Sequence, residues 1–138
     1  MSHYSEVQIE FRDRAALIAA LERLGFKGKV EIHQEAKSLY GYQGDRREQQ
    51  AHIIIRRQHV QAYANDIGFQ RQSDGTYRTY ISDFDRGVDG SGAYGTAWQG
   101  KLKQAYGVEK AKAEAKKKGY RATEEKQGDG RIRLVCRR

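Results

Sequence analysis

The stretch Ile67–Ile81, IGFQRQSDGTYRTYI, decides the fold. Ile67–Arg71 and Tyr77–Ile81 read as strands on either side of Ser73-Asp74-Gly75-Thr76, and Asp-Gly supplies the positive φ angles of a tight turn. A hairpin at this point sets an antiparallel sheet. On its second strand Tyr77, Thr79 and Ile81 share one face, with Arg78 and Tyr80 on the other.

Toward the N-terminus, Ile53-Ile54-Ile55 within His52–Val60 predicts a central strand buried on both faces. Leu39–Gln43 is another strand, joined to it by the polar turn Gly44-Asp45-Arg46-Arg47-Glu48. Val30 and Ile32 begin an earlier one, with Glu31 and His33 on its opposite face, so His33 is expected in solvent. Before it, Asp13 caps a helix whose Leu17, Leu21 and Leu24 form one apolar stripe. Gly25 ends that helix and Phe26 folds back on it. Val7, Ile9 and Phe11 alternate with Glu6, Gln8 and Glu10 as a half-buried first strand.

Toward the C-terminus, five glycines punctuate residues 86–100, a predicted flexible loop. A helix follows, with Trp98, Leu102 and Tyr106 on one stripe and Val108, Ala111 and Ala115 continuing it. Gly107 weakens its middle by about 1 kcal/mol relative to Ala. Lys116, Lys117 and Lys118 suit the negative end of its dipole, and Gly119 ends it. Strands Tyr120–Glu125 and Arg131–Arg137 close the chain around Gly128-Asp129-Gly130. Helix–Gly–aromatic–strand occurs twice, at Leu24–Lys27 and Lys118–Arg121, either as a duplicated unit or as a common helix ending met twice.

The fold class is therefore α+β: a mainly antiparallel sheet with two helices packed on it, in the order strand, helix, five strands, helix, two strands. One domain over residues 1–138 is expected. Its core should include Val7, Ile9, Phe11, Leu17, Leu21, Leu24, Val30, Ile32, Ile53, Ile55, Leu102, Ile132 and Leu134. Proline is absent, so turns fall to Gly, Asp, Asn and Ser. With one cysteine, Cys136, there is no intramolecular disulfide framework. Together with the lack of a signal-peptide core, this predicts a cytoplasmic or stromal setting. No apolar run is long enough to span a bilayer, so no membrane partner is expected.

Charge is unevenly placed. Residues 1–90 carry 13 Lys/Arg and 13 Asp/Glu, while residues 91–138 carry 13 and 5, so the whole excess of +8 lies in the last third. Lys101, Lys103, Lys110, Lys112, Lys116, Lys117, Lys118 and Arg121 can face phosphates or an acidic protein. Arg131 extends the same patch. The plainer account is a solvated helix face built of good helix formers. Lysine outnumbers arginine on the helix, which suits a non-specific charge source better than a base reader.

The remaining candidates are weaker. Tyr40 and Tyr42, which share a strand face, and Tyr77 and Tyr80, on opposite faces of the hairpin, can stack bases from a sheet, although tyrosines more often cover a core edge. His3, His33, His52 and His59 lack metal-ligand spacing. A terminal copper or nickel geometry at His3 is lost if Met1 is removed, as small Ser2 favours. No metal and no cofactor is expected. Asp83, Asp85 and Asp89 at the mouth of the glycine loop suit acid–base or Mg²⁺ chemistry, but also ordinary turns, with Arg86 as a local counter-charge. The loop lacks the order of a nucleotide P-loop. Cys136 in a strand is expected to be an inert core residue.

Several motifs run together along the chain. They are Met1-Ser2-His3-Tyr4-Ser5 before a strand, Leu17-x-x-Ala20-Leu21-x-x-Leu24-Gly25-Phe26, Gln104-Ala105-Tyr106 with Val108, Gly119-Tyr120, and Gly130-x-Ile132-x-Leu134. Over nearly its whole length the chain resembles a family of hypothetical plastid reading frames, found in algal plastids, cyanobacteria and other bacteria, a domain of unknown function. The resemblance implies a soluble cytosolic or stromal protein, brings no catalytic residue and does not imply photosynthesis. Gly107 departs from it where a helix former such as Ala is expected.

The expected function is a non-catalytic binding or adaptor module that contacts an acidic protein or nucleic acid through the basic C-terminal third. The alternative is a small-molecule binder or enzyme. Its pocket would be lined by Asp83, Asp85, Arg86 and Trp98 and gated by residues 86–100.

Overall fold

The computed structural model describes residues 3–138. Met1 and Ser2, on which the terminal copper geometry turns, lie outside the described residues. Strand β1 (Tyr4–Phe11) leads into helix α1 (Arg14–Leu21), whose first turn is capped by Asp13 Oδ1 accepting from Ala16 N at 3.0 Å. A widened turn over Glu22–Phe26 contains Gly25, whose φ of 106° few other residues tolerate. Four strands follow: β2 (Val30–Tyr40), β3 (Arg46–Ile55), β4 (Ile67–Arg71) and β5 (Tyr77–Ser82). The short helix α2 (Asp83–Arg86) and the long helix α3 (Thr96–Lys117) precede the hairpin β6 (Arg121–Lys126) and β7 (Ile132–Arg137).

The fold is α+β, with mainly antiparallel strands and helices packed against them. The five-stranded sheet has the order β1-β5-β4-β3-β2, with every pair antiparallel. The predicted hairpin falls where the sequence places it, with Arg71 opposite Tyr77 and Gly68 opposite Tyr80. One face of the sheet carries Val7, Ile9, Phe11, Ile53, Ile55, Ile67, Phe69, Tyr77 and Ile81. These form a single core with Leu17, Ala20 and Leu21 of α1 and Leu102 and Ala105 of α3. Tyr106 ties the two helices, its ring against Phe11 and its Oη accepting from Asp13 N at 2.9 Å.

Four strands, not five, separate the predicted helices. The runs at Val30 and Leu39 are one long strand with two register shifts, and its turn spans residues 41–45 instead of 44–48. The strand over His52–Val60 stops at Ile55 and gives way to a short 3₁₀ turn, Arg57–His59. The last two strands form a sheet of their own. Ile32 is 44% exposed instead of buried, because β2 is the sheet edge and lies beyond the helices. Leu24, Val30, Ile132 and Leu134 are half-buried, while the other predicted core residues are buried. His33 is half-buried and bonds Glu31 Oε1 at 2.9 Å. Cys136 is exposed on β7, contrary to the expectation of a core thiol.

On the sheet face away from the helices, Leu39, Ala51 and Ile54 make a second small apolar cluster. Leu39 lies over β4 at Gly68, where a Cβ would come within 2.8 Å of Leu39 Cδ2 and 2.7 Å of Ala51 Cβ. Gly68 therefore lets β2 fold across this face.

Candidate macromolecule-binding face

Helix α3 buries Leu102, Ala105, Val108 and Ala115, and this fixes where its lysines point. Lys103, Lys110 and Lys117 repeat every seven residues and so share one exposed side. Lys101, Lys112 and Lys116 lie on the flank that meets the C-terminal hairpin. The predicted lysines within α3 thus divide between two of its sides, while Lys118 follows its end and Arg121 lies on β6.

One carboxylate bridges the hairpin to two parts of the body. Glu124 of β6 accepts from both guanidinium nitrogens of Arg23 and from Lys112 Nζ at 3.1 Å. These bonds hold its pKa down at about 2 and push those of Arg23 and Lys112 up. Gln104 Nε2 adds a bond to Gly130 O at 2.9 Å. The Arg23–Glu124–Lys112 bridge separates two grooves between the hairpin and the helices.

The first groove, of 720 Å³, lies among α1, α3 and β6. Ala15, Ala16 and Ala19 of α1, Ala113 of α3 and Ala122 of β6 give it an apolar floor. Lys112, Lys116 and Arg121 stand at its rim, three of the residues singled out in the sequence. Its acids are already engaged: Asp13 caps α1, and Glu109 faces Lys112 at 3.5 Å and Arg23 at 3.9 Å. Lys116 and Arg121 make no ion pair among the described residues. The second groove, of 590 Å³, is lined by Leu24, Lys101, Lys126 and Ile132 among others.

Sequence reasoning missed the pairing across the hairpin. Arg121 sits directly opposite Arg137, and Arg133 opposite Glu125 at 3.9 Å. Like charges facing each other across a strand pair oppose its folding. Strand parity on either side of the Gly128–Gly130 turn is the signal that could have shown it.

The four residues of the alternative pocket are engaged in different ways. Asp85 is fully buried and accepts from Gln61 Nε2 at 2.8 Å, Ser82 Oγ at 2.8 Å and Asn65 N at 3.2 Å. Asp83 is at the surface, 2.8 Å from Arg86. Trp98 packs edge-on against Phe26 and Tyr94. Asp89 receives Ser91 N in its own turn. The glycine segment folds back on itself, with Gly92 N donating to Arg86 O at 2.7 Å and Thr96 N to Gly90 O at 2.8 Å. A Cβ on Gly95 would stand 2.0 Å from Gly90 O, so this glycine serves a backbone contact.

The tyrosines do not form one stacking platform. Tyr77 is in the core, Tyr80 bonds Gln70 Oε1 at 3.0 Å and meets Tyr4 edge-on, and Tyr40 lies under Arg56. Another buried charge was also missed. Asp66 accepts from Arg57 N at 2.7 Å, Tyr40 N at 2.8 Å and Arg56 Nη1 at 2.9 Å, with Glu31 on the other side of that guanidinium. By joining Arg57 N and Arg56 to Tyr40 N, the cluster ties the start of the loop after β3 to the end of β2. Among the described residues no three His, Cys, Asp or Glu side chains converge as a metal site.

A model for a protein family of unknown function, DUF1257, matches residues 20–135, most of the chain, so this protein belongs to that family. No curated protein and no solved structure matches it.

Proposed function

We propose that this member of the family is a non-catalytic binding module. It docks an acidic macromolecule on the face formed by the C-terminal half of α3 and the hairpin β6–β7. One observation carries the reading: Arg121, which lines the groove with Lys116, faces Arg137 across the hairpin, and among the described residues no carboxylate pairs with any of the three. Such an arrangement costs folding energy in isolation and is relieved when negative charge arrives. The approach of a phosphate chain or of a run of carboxylates would serve. We place the protein in the cytoplasm or a plastid stroma, in keeping with its resemblance to plastid and cyanobacterial reading frames. No helix of the described residues is long and apolar enough to cross a membrane.

The test is binding of labelled polyglutamate and of single- and double-stranded oligonucleotides across a salt series, beside an Arg121→Ala/Arg137→Ala variant. The expected result is binding at low salt that weakens as salt rises and falls about tenfold in the variant, the scale of one interfacial charge contact. If none of these polyanions binds at low salt, the reading is wrong.

A further inference from the structure

The strand β6 has one free edge, and that edge borders the alanine-floored groove. β6 pairs with β7 on one side, and residues of β6 but not of β7 line the groove. Among the described residues, no backbone hydrogen bond joins Arg121–Lys126 to any strand but β7. A two-stranded hairpin is marginal by itself and gains stability from a third strand. An unpaired edge is a template for one unless something blocks it.

Three features therefore meet in one place. There is a row of backbone donors and acceptors along β6. There is an apolar floor of Ala16, Ala19, Ala113 and Ala122. Lys116 and Arg121 stand at the rim with no ion pair among the described residues. A nucleic-acid backbone would satisfy only the third, since it carries no N–H donors for the strand's carbonyls and nothing to fill an alanine floor. A second copy of this chain, with its own excess of +8, is repelled.

We infer that the groove receives an extended acidic segment of a partner protein, which adds as a strand to the free edge of β6. Apolar side chains of the segment, at alternate positions, cover the alanines, and its carboxylates between them meet Lys116 and Arg121. The inference rests on the acidic-partner reading above and narrows it to one kind of partner.

The experiment is selection of a displayed random-peptide library on the full chain, followed by hydrogen exchange with the enriched peptide. Enriched peptides should alternate Asp or Glu with apolar residues. They should slow exchange in residues 121–126 and lose about tenfold or more in affinity for Lys116→Glu or Ala113→Trp, a change typical of losing one anchor. Ala113 is exposed on α3, so tryptophan there fills the groove without entering the core. A peptide N-methylated at alternate residues should fail to bind, because the methyl groups remove its strand pairing. Enriched peptides without acidic bias, or binding that Ala113→Trp leaves unchanged, would overturn the inference. If oligonucleotides bind but no groove-dependent peptide emerges, the strand addition fails and the acidic-macromolecule reading survives. If neither binds, both fail.

Discussion

At single residues, two contacts decide more than their size suggests. Gly68 has no side chain because Leu39 and Ala51 occupy the space a Cβ would need. Both neighbours are fully buried, so neither can move away freely. Gly68→Ala should therefore destabilise the protein by about 1–3 kcal/mol, the usual cost of overpacking. Urea unfolding would show it as a lower midpoint, and an unchanged midpoint would mean the face is less tightly closed. Glu124 is the second case. Its pKa lies near 2, below the ordinary carboxylate value of 4.5, because the Arg23 and Lys112 bonds favour the ionised form. Its contribution is complete above the ordinary value and is lost as the pH falls through about 2. Glu124→Gln should loosen the hairpin at neutral pH, as faster exchange of the β6 amides. It should also remove the part of the acid sensitivity that lies between those values. If wild type and variant lose hairpin protection along the same acid curve, Glu124 is not the tether.

Elements were legible in proportion to how local their causes are. The β4–β5 hairpin is written in two apolar runs and Asp74-Gly75, and it appears with Ile67–Arg71 intact. The helices follow from the Leu17/Leu21 stripe and from Leu102, each in contact with the same core. The strand at Leu39 was misread because its continuity with Val30 depends on pairing to β3, with shifts that no local pattern records. The basic face was half legible. Lys112, Lys116 and Arg121 were named from charge alone, but their groove needs α1 beside β6, elements a hundred residues apart in the chain. The glycines divide by the same logic. Gly95 touches Gly90 O, whereas Gly100 and Gly107 sit in α3 with nothing within 4 Å of an added Cβ. Gly107→Ala and Gly100→Ala should each stabilise the protein by about 0.5–1 kcal/mol, through helix propensity alone. Gly95→Ala should destabilise it instead. Thermal unfolding of the three variants gives the signs, and a stabilising Gly95→Ala would refute the role assigned to that backbone contact.

At the scale of the whole molecule, the charge asymmetry becomes geometry. The neutral first two-thirds builds the five-stranded sheet, α1 and the loops that cover them. The basic last third contributes α3 and the separate hairpin, so the excess of +8 is carried by one contiguous part of the structure. Long-range attraction depends on net charge, whereas docking depends on where the charges stand. Two variants with equal net charge separate these contributions. Lys116→Ala/Lys117→Ala/Lys118→Ala removes three charges at the end of α3, and Lys27→Ala/Lys29→Ala/Lys37→Ala removes three exposed charges elsewhere. Salt screens exposed charges over about 8 Å at physiological ionic strength, so at that salt only the local arrangement should matter. The α3 variant should then bind polyglutamate several-fold more weakly than the control, and the two should converge at low salt, where the total field dominates. Equal loss in both variants at physiological salt would mean that the protein attracts polyanions by its overall charge, and the face built from α3 and the hairpin would lose its claim to be the site.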